Sequence, residues 1–190
     1  RDEALMTVLA IYSEDQPGAG VFYHDVDAIT QHLSTINVQF ERWQAKHPIV
    51  SGATQEQILT AYDDEVQRLK QQYGFQSADV ISLQGDHPNA AQLRQKFLSE
   101  HTHSDFEVRF FVAGKGLFSL HVGDQVYSLL CEQGDLICVP AGARHWFDMG
   151  EHPAFTCIRL FTDEAGWVAD FTGDEIASRF PTLDQFVSLA

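Results

Sequence analysis

His101-Thr102-His103-Ser104-Asp105-Phe106-Glu107 and, further on, Gly134-Asp135-Leu136-Ile137-Cys138-Val139-Pro140-Ala141-Gly142-Ala143-Arg144-His145 are the stretches that decide how this chain is read. In a strand, residues i and i+2 point to one face. His101 and His103 therefore aim two imidazoles at a common point. Glu107 has the same parity, but a fully extended strand would carry it about 13 Å beyond His103. Ser104-Asp105 is thus expected to form a turn or bulge that folds Glu107 back. His145, just after the Pro140-Ala141-Gly142 turn, offers a fourth ligand. Three imidazoles and one carboxylate suit Fe, Ni, Mn or Zn far better than Ca or Mg. Six-coordinate geometry would leave two positions, enough for two adjacent substrate oxygens.

A histidine in a strand is more often a polar residue than a ligand, so the other six need separate reading. His24, His32, His47, His87 and His152 lie in loop or polar contexts and receive no role. His121 falls in an apolar run beside a Gly-Asp turn, which fits a hydrogen-bonded structural residue.

The surrounding texture is that of strands. From 107 to 161 the chain consists of short apolar runs (107–112, 117–122, 125–130, 136–139 and 155–161) separated by turn residues such as Gly114-Lys115-Gly116 and Gly123-Asp124. This spacing predicts an antiparallel sandwich or barrel. Before it, residues 5–12, 38–43 and 79–83 read as strands. Asp25 caps a helix to about Ile36, and residues 44–53 read as a loop. Thr54 with Gln57 is a capping box opening a helix through Ile58, Tyr62, Val66, Leu69 and Tyr73 to a stop at Gly74. Asn89–Ser99 predicts another helix. Helical fragments are expected around Glu164–Asp170 and Asp174–Phe180. The expected class is α+β, an antiparallel β-barrel with several helices, mostly N-terminal. One domain spans 1–190. Residues 1–100 supply flanking helices and strands, 101–161 the metal-binding core and 162–190 a helical tail.

Composition sets the outer limits. The chain has 190 residues, 27 of them acidic and 12 basic, for a formal charge of −15. No basic stripe is present, which argues against a nucleic-acid partner. Cys131, Cys138 and Cys157 show neither CxxC spacing nor an even count, so neither a disulfide framework nor a cysteine zinc site is expected. No apolar run approaches the roughly 18 residues of a membrane span, and Arg1-Asp2-Glu3 carries no signal-peptide pattern. A cytoplasmic protein with no membrane partner is the expectation.

Residues 101–114 read H-x-H-x(3)-E-x(6)-G and residues 134–145 read G-x(5)-P-x-G-x(2)-H. They resemble the two motifs of the cupin superfamily, whose fold is a β-barrel of the jelly-roll type. Gln95 and Met149 stand where cupins often have Gly and Asn. The likeness to the acireductone dioxygenase family is closer. It runs through residues 40–44, 79–83, 97–103, 107–111, 139–150, 158–161 and Gly166-Trp167, and covers roughly residues 5–182. This resemblance implies His101, His103, Glu107 and His145 as ligands of one Fe2+ or Ni2+ per chain. It implies Arg109 as the residue that helps form and hold a substrate dianion, and Glu100 as a residue tied to metal incorporation. Phe106 stands where the family often has an acid beside the glutamate ligand, with Asp105 before it.

The implied reaction is cleavage of an acireductone by O2 in methionine salvage, by a monomer. An apolar methylthioethyl tail needs an apolar pocket, for which Phe97, Phe147 and Trp167 are candidates, with Arg159 as a polar contact. Two rivals are a sugar-phosphate isomerase and a non-enzymatic binding module. The first needs a basic pocket, for which Lys115, Arg144 and Arg159 are the only material. The second is weakened by the intact four-ligand set.

Overall fold

The structure is a computed structural model that describes residues 7–44, 47–49, 52–163 and 168–190. Among the described residues, eleven strands form two antiparallel sheets that share one long strand. These strands are β1 (Val8–Ser13), β2 (Val21–Tyr23), β3 (Gln39–Arg42), β4 (Ser77–Gln84), β5 (His101–Thr102), β6 (Glu107–Val122), β7 (Gln125–Glu132), β8 (Asp135–Val139), β9 (Arg144–Asp148), β10 (Ala154–Phe161) and β11 (Asp170–Phe171). One sheet runs β11-β5-β9-β6-β7-β1-β2, and the other runs β3-β8-β6-β10-β4. This is a cupin jelly roll, as the motifs imply, built as two sheets joined through β6 rather than as a closed barrel. Helices α1 (Val26–Ser34), α2 (Gln55–Ala61), α3 (Asp63–Tyr73) and α4 (Ala90–Leu98) precede β5, and α5 (Leu183–Leu189) follows the sheets.

β6 differs from expectation. Gly114-Lys115-Gly116 reads as a turn between two strands, yet the strand continues through it. The first half pairs with β8 and β10, the second with β7 and β9. Two local devices permit this. A bulge opposite Thr156/Cys157 absorbs one residue, so Phe111 and Phe118 both face the interior although their numbers differ in parity. Gly114 takes φ 72°, and a Cβ there would lie 1.9 Å from the Ala154 carbonyl oxygen. Glycine meets both demands.

Alternation divides the apolar residues among three clusters. Phe111, Phe118, Leu120, Leu129, Ile137, Phe147 and Phe155 fill the space between the sheets. Val108, Phe110, Val112, Ile158 and Leu160 face outward on the second sheet and are covered by Ile58 of α2, Val66 and Leu69 of α3, and Tyr62 between the two helices. Leu117, Leu130 and Trp146, on the outer face of the first sheet, are covered by Ile176, Phe180, Leu183 and Phe186. Each such side chain contributes about 1.5–3 kcal/mol on burial.

The helix expected over 54–73 is two helices. The capping box at Thr54 and the stop at Gly74 (φ 74°) stand as read. The break is at Tyr62, whose hydroxyl is hydrogen-bonded to the backbone of His47, and Asp63, Asp64 and Glu65 then fill the first turn of α3. Acids there face the positive end of the helix dipole. The tail fragment near 174–180 is a single 3-10 turn, Ile176–Arg179. Residues 164–167 lie outside the described residues, and Asp170 pairs in a strand rather than a helix. α5 lies beyond the helical fragments expected, and Thr182 and Gln185 open it with a capping box like that at Thr54. Among the described residues no helix is long and apolar enough to cross a membrane.

Candidate metal centre

β5 and β9 lie side by side with His101 directly opposite His145. His103 follows β5, and the three rings sit with centroids 4.4–5.1 Å apart. Each ring is oriented by a main-chain carbonyl. Nδ1 of His101 lies 2.7 Å from Ser99 O, that of His103 3.0 Å from Val168 O, and that of His145 2.9 Å from Ala143 O. A carbonyl oxygen only accepts, so each Nδ1 carries the proton and each Nε2 keeps its lone pair. This is how metal-binding imidazoles are usually held. Ligating nitrogens from the three lie within 4.8 Å of one another.

Glu107 reaches the same point because the chain turns as expected. Asp105 organises the turn. Its Oδ1 accepts the Phe106 amide at 2.9 Å, and its Oδ2 accepts the amides of Thr162 and Asp163 at 2.8 and 3.1 Å and the Thr162 hydroxyl. Glu107 Oε1 consequently sits 4.0 Å from Nε2 of both His103 and His145. An extended strand would have left it about 13 Å away from His103.

The electrostatics suit a cation. Burial pushes His101 down to about 4 and His145 down to about 3, so both are neutral at neutral pH, the form a metal ion would need. Burial works against the charge on Glu107, but the Arg109 guanidinium and the neighbouring histidines override it and hold the carboxyl at about 2. Arg109 Nε donates to Glu107 Oε1 at 3.1 Å, and its guanidinium lies over the rings of Phe118 and Phe147. The Nε2 atoms of His103 and His145 and Oε2 of Glu107 are buried without a hydrogen-bond partner. Three unpaired acceptors at one buried point are costly, and a transition-metal ion fits them with this donor set.

The remaining candidates divide. A cavity of about 80 Å3 is lined by Lys96, Phe97, His101, His103, Arg109, Arg159 and Ala169. Phe97 is thus at the site. Phe147 lies beneath it in the core, edge-on to Phe97 at 6.4 Å. Arg159 reaches the cavity while Asp79 holds its guanidinium at 2.9 and 2.6 Å. Glu100 adjoins His101, but its carboxylate accepts from Nδ1 of His121 at 2.7 Å and from the Thr172 hydroxyl at 2.7 Å. His121 is accordingly the hydrogen-bonded residue expected. Phe106 packs on Tyr73 and Phe75. Trp167 lies outside the described residues. Of the three cations available for a phosphate pocket, only Arg159 lines the cavity; Arg144 donates to Gly123 O. Asp79 and Lys96 have no role in the sequence reading, whereas Asp105 is the turn residue expected there. Asp79 had no local signal, since it meets Arg159 only through the β4–β10 register.

Comparison with known proteins agrees with this geometry. The sequence model of the ARD/ARD' family matches residues 9–169. The chain is similar to the acireductone dioxygenase of Methylococcus capsulatus, 56% identical over 96% of this chain and 98% of that one. It is likewise similar to that of Marinobacter nauticus, 60% identical over 94% and 97%. Among solved structures, an acireductone dioxygenase from Bacillus anthracis with a cadmium ion in its active centre superposes with a TM-score of 0.77. That pair is 28% identical, covering 87% of this chain and 98% of the other.

Proposed function

Since the chain belongs to the acireductone dioxygenase (ARD/ARD') family and is a metal-dependent dioxygenase, we propose that it cleaves 1,2-dihydroxy-5-(methylthio)pent-1-en-3-one with O2 at the His101–His103–Glu107–His145 centre. The observation that carries the ligand assignment is the set of three imidazoles turned by backbone carbonyls to leave Nε2 free beside a buried, charged Glu107. Cadmium in the active centre of the Bacillus anthracis protein supports a metal at this position.

Fe2+ or Ni2+, when bound, supplies Lewis acidity that favours the deprotonated enediol. The chain supplies the rest. Arg109 lines the cavity, fixed by Glu107 and by the aromatic floor, and its guanidinium stabilises charge on the substrate oxygens there. Phe97 offers an apolar wall for the methylthioethyl tail, and Phe147 supports that wall. An electron-rich dianion can itself reduce O2, which is why the same ligands serve either metal. By family resemblance, the protein loaded with Fe2+ releases 4-methylthio-2-oxobutanoate and formate. Loaded with Ni2+, it releases methylthiopropionate, formate and carbon monoxide. The first outcome places it late in methionine salvage.

The test supplies anaerobic acireductone to protein loaded with either metal, admits O2 and identifies the products. Oxygen-dependent substrate loss is expected with both; its absence with both refutes the assignment. His145→Ala should abolish stoichiometric metal binding, and retention of tight metal would refute the ligand set.

A further inference from the structure

We propose that Lys96 is the residue that captures the substrate anion at the mouth of the metal centre, an inference that rests on the acireductone reading above. An enediol conjugated to a ketone is a vinylogous carboxylic acid, so the substrate approaches as an anion. The protein it approaches carries a net charge of −15. Three cationic side chains line the cavity. Two are already paired with carboxylates, Arg109 with Glu107 at 3.1 Å and Arg159 with Asp79 at 2.6 Å. Lys96 is exposed and, among the described residues, has no ion pair and no hydrogen bond. It is the uncompensated positive charge of the cavity wall.

Its position is held by the fold. Lys96 lies in the last turn of α4. Two residues earlier, Arg94 donates to both carboxylate oxygens of Asp148 at 2.8 and 3.2 Å, clamping α4 onto β9, the strand that carries His145. One residue later, Phe97 packs against Phe147. The helix therefore presents Lys96 and Phe97 together, a cation for the enediolate end and an apolar ring for the tail. A lysine near a helix C-terminus also complements the helix dipole. That structural role alone would make Lys96 matter to stability and not to substrate capture, and the two are separable.

The experiment compares Lys96→Gln and Lys96→Arg with wild type and with Lys115→Gln, which removes the same charge outside the cavity. Each protein is Ni-loaded, and kcat/KM for acireductone is followed from low to high ionic strength. At low salt Lys96→Gln should lose roughly 3- to 10-fold in kcat/KM, through KM, with kcat within about twofold. The gap should close towards 1 M salt, where the screening length falls to about 3 Å. Lys96→Arg should restore most of the loss, and Lys115→Gln should track wild type. Metal content and melting temperature should be unchanged throughout. Equal kcat/KM for Lys96→Gln and wild type at every ionic strength overturns the proposal. So does a loss matched by Lys115→Gln, or one explained by lost metal or lowered melting temperature. Failure of wild type to turn over would instead refute the proposed function. Lys96 is then read by anaerobic fluorescence titration of Ni-loaded protein with the same acireductone, and an equal Kd for wild type and Lys96→Gln overturns it.

Discussion

Replacing Arg109 by Met tests how the buried charge of Glu107 is supported before metal arrives. Arg109 and Glu107 are 2% and 1% exposed, and their contact is 3.1 Å. Met keeps much of the side-chain volume and its apolar contact with Phe118 and Phe147, so little packing is lost. What goes is the counter-charge. At this separation and an effective dielectric of about 20, the pair attracts by about 5 kcal/mol. Breaking a buried pair from one side costs about 3–5 kcal/mol for the same reason. For a domain of this size, that is a fall of about 6–20 °C in the Tm of metal-free protein. A divalent cation beside Glu107 restores the missing positive charge. The Ni-loaded variant should therefore recover much of the deficit and gain more from metal than wild type does. Scanning calorimetry of both proteins, with and without Ni2+, reads all four values. A metal-free variant within about 2 °C of metal-free wild type refutes the reasoning, as does an equal metal-induced gain in the two.

Gly116→Ala places a Cβ 2.2 Å from Cζ of Phe147, whose ring is walled in by Phe97, Phe111, Phe118 and Phe155. A loss of about 1–3 kcal/mol in urea unfolding is expected, and a change under about 0.5 kcal/mol would show that the ring can move aside. Asp105→Ala removes the bonds that turn Glu107 towards the histidines and should weaken Ni2+ binding about 10- to 100-fold in chelator competition; unaltered affinity would mean the turn stands without it. Asp148 is held below the usual carboxylate range: burial pushes it up, but Arg94 and the amides of Leu183 and Gly150 prevail. A depressed carboxyl contributes stability above its unfolded value near 3.9 and loses it as pH falls through the folded one. Asp148→Asn should therefore be less stable than wild type at pH 7 and approach it below about pH 4 in denaturant titrations; a pH-independent gap would count against this assignment.

The residues proposed as ligands are legible because their signal is local. Two histidines one residue apart, a glutamate after a turn and a histidine after a Pro-Gly turn are short patterns. The turn at Ser104-Asp105 could be anticipated because geometry demanded it. What the sequence hid is non-local. Asp79 meets Arg159 only through pairing of β4 with β10. The bend of β6 looked like a turn because glycines that interrupt a strand and glycines that kink it read alike. No local signal marks the break at Tyr62, whose hydroxyl meets the His47 backbone in a different segment. Phe147 looked like pocket wall and is core, since alternation gives the face of a residue but not its depth. Lys96 carries no local signal, since its standing depends on the partners of Arg109 and Arg159.

Because backbone carbonyls of Ser99, Ala143 and Val168 hold the three imidazoles, the aim of each ring is independent of which side chains stand at those positions. Side chains at 99, 143 and 168 can therefore change without turning an imidazole away from the point where the three converge. The course of the main chain, rather than any side chain at these three positions, thus sets where the imidazoles converge.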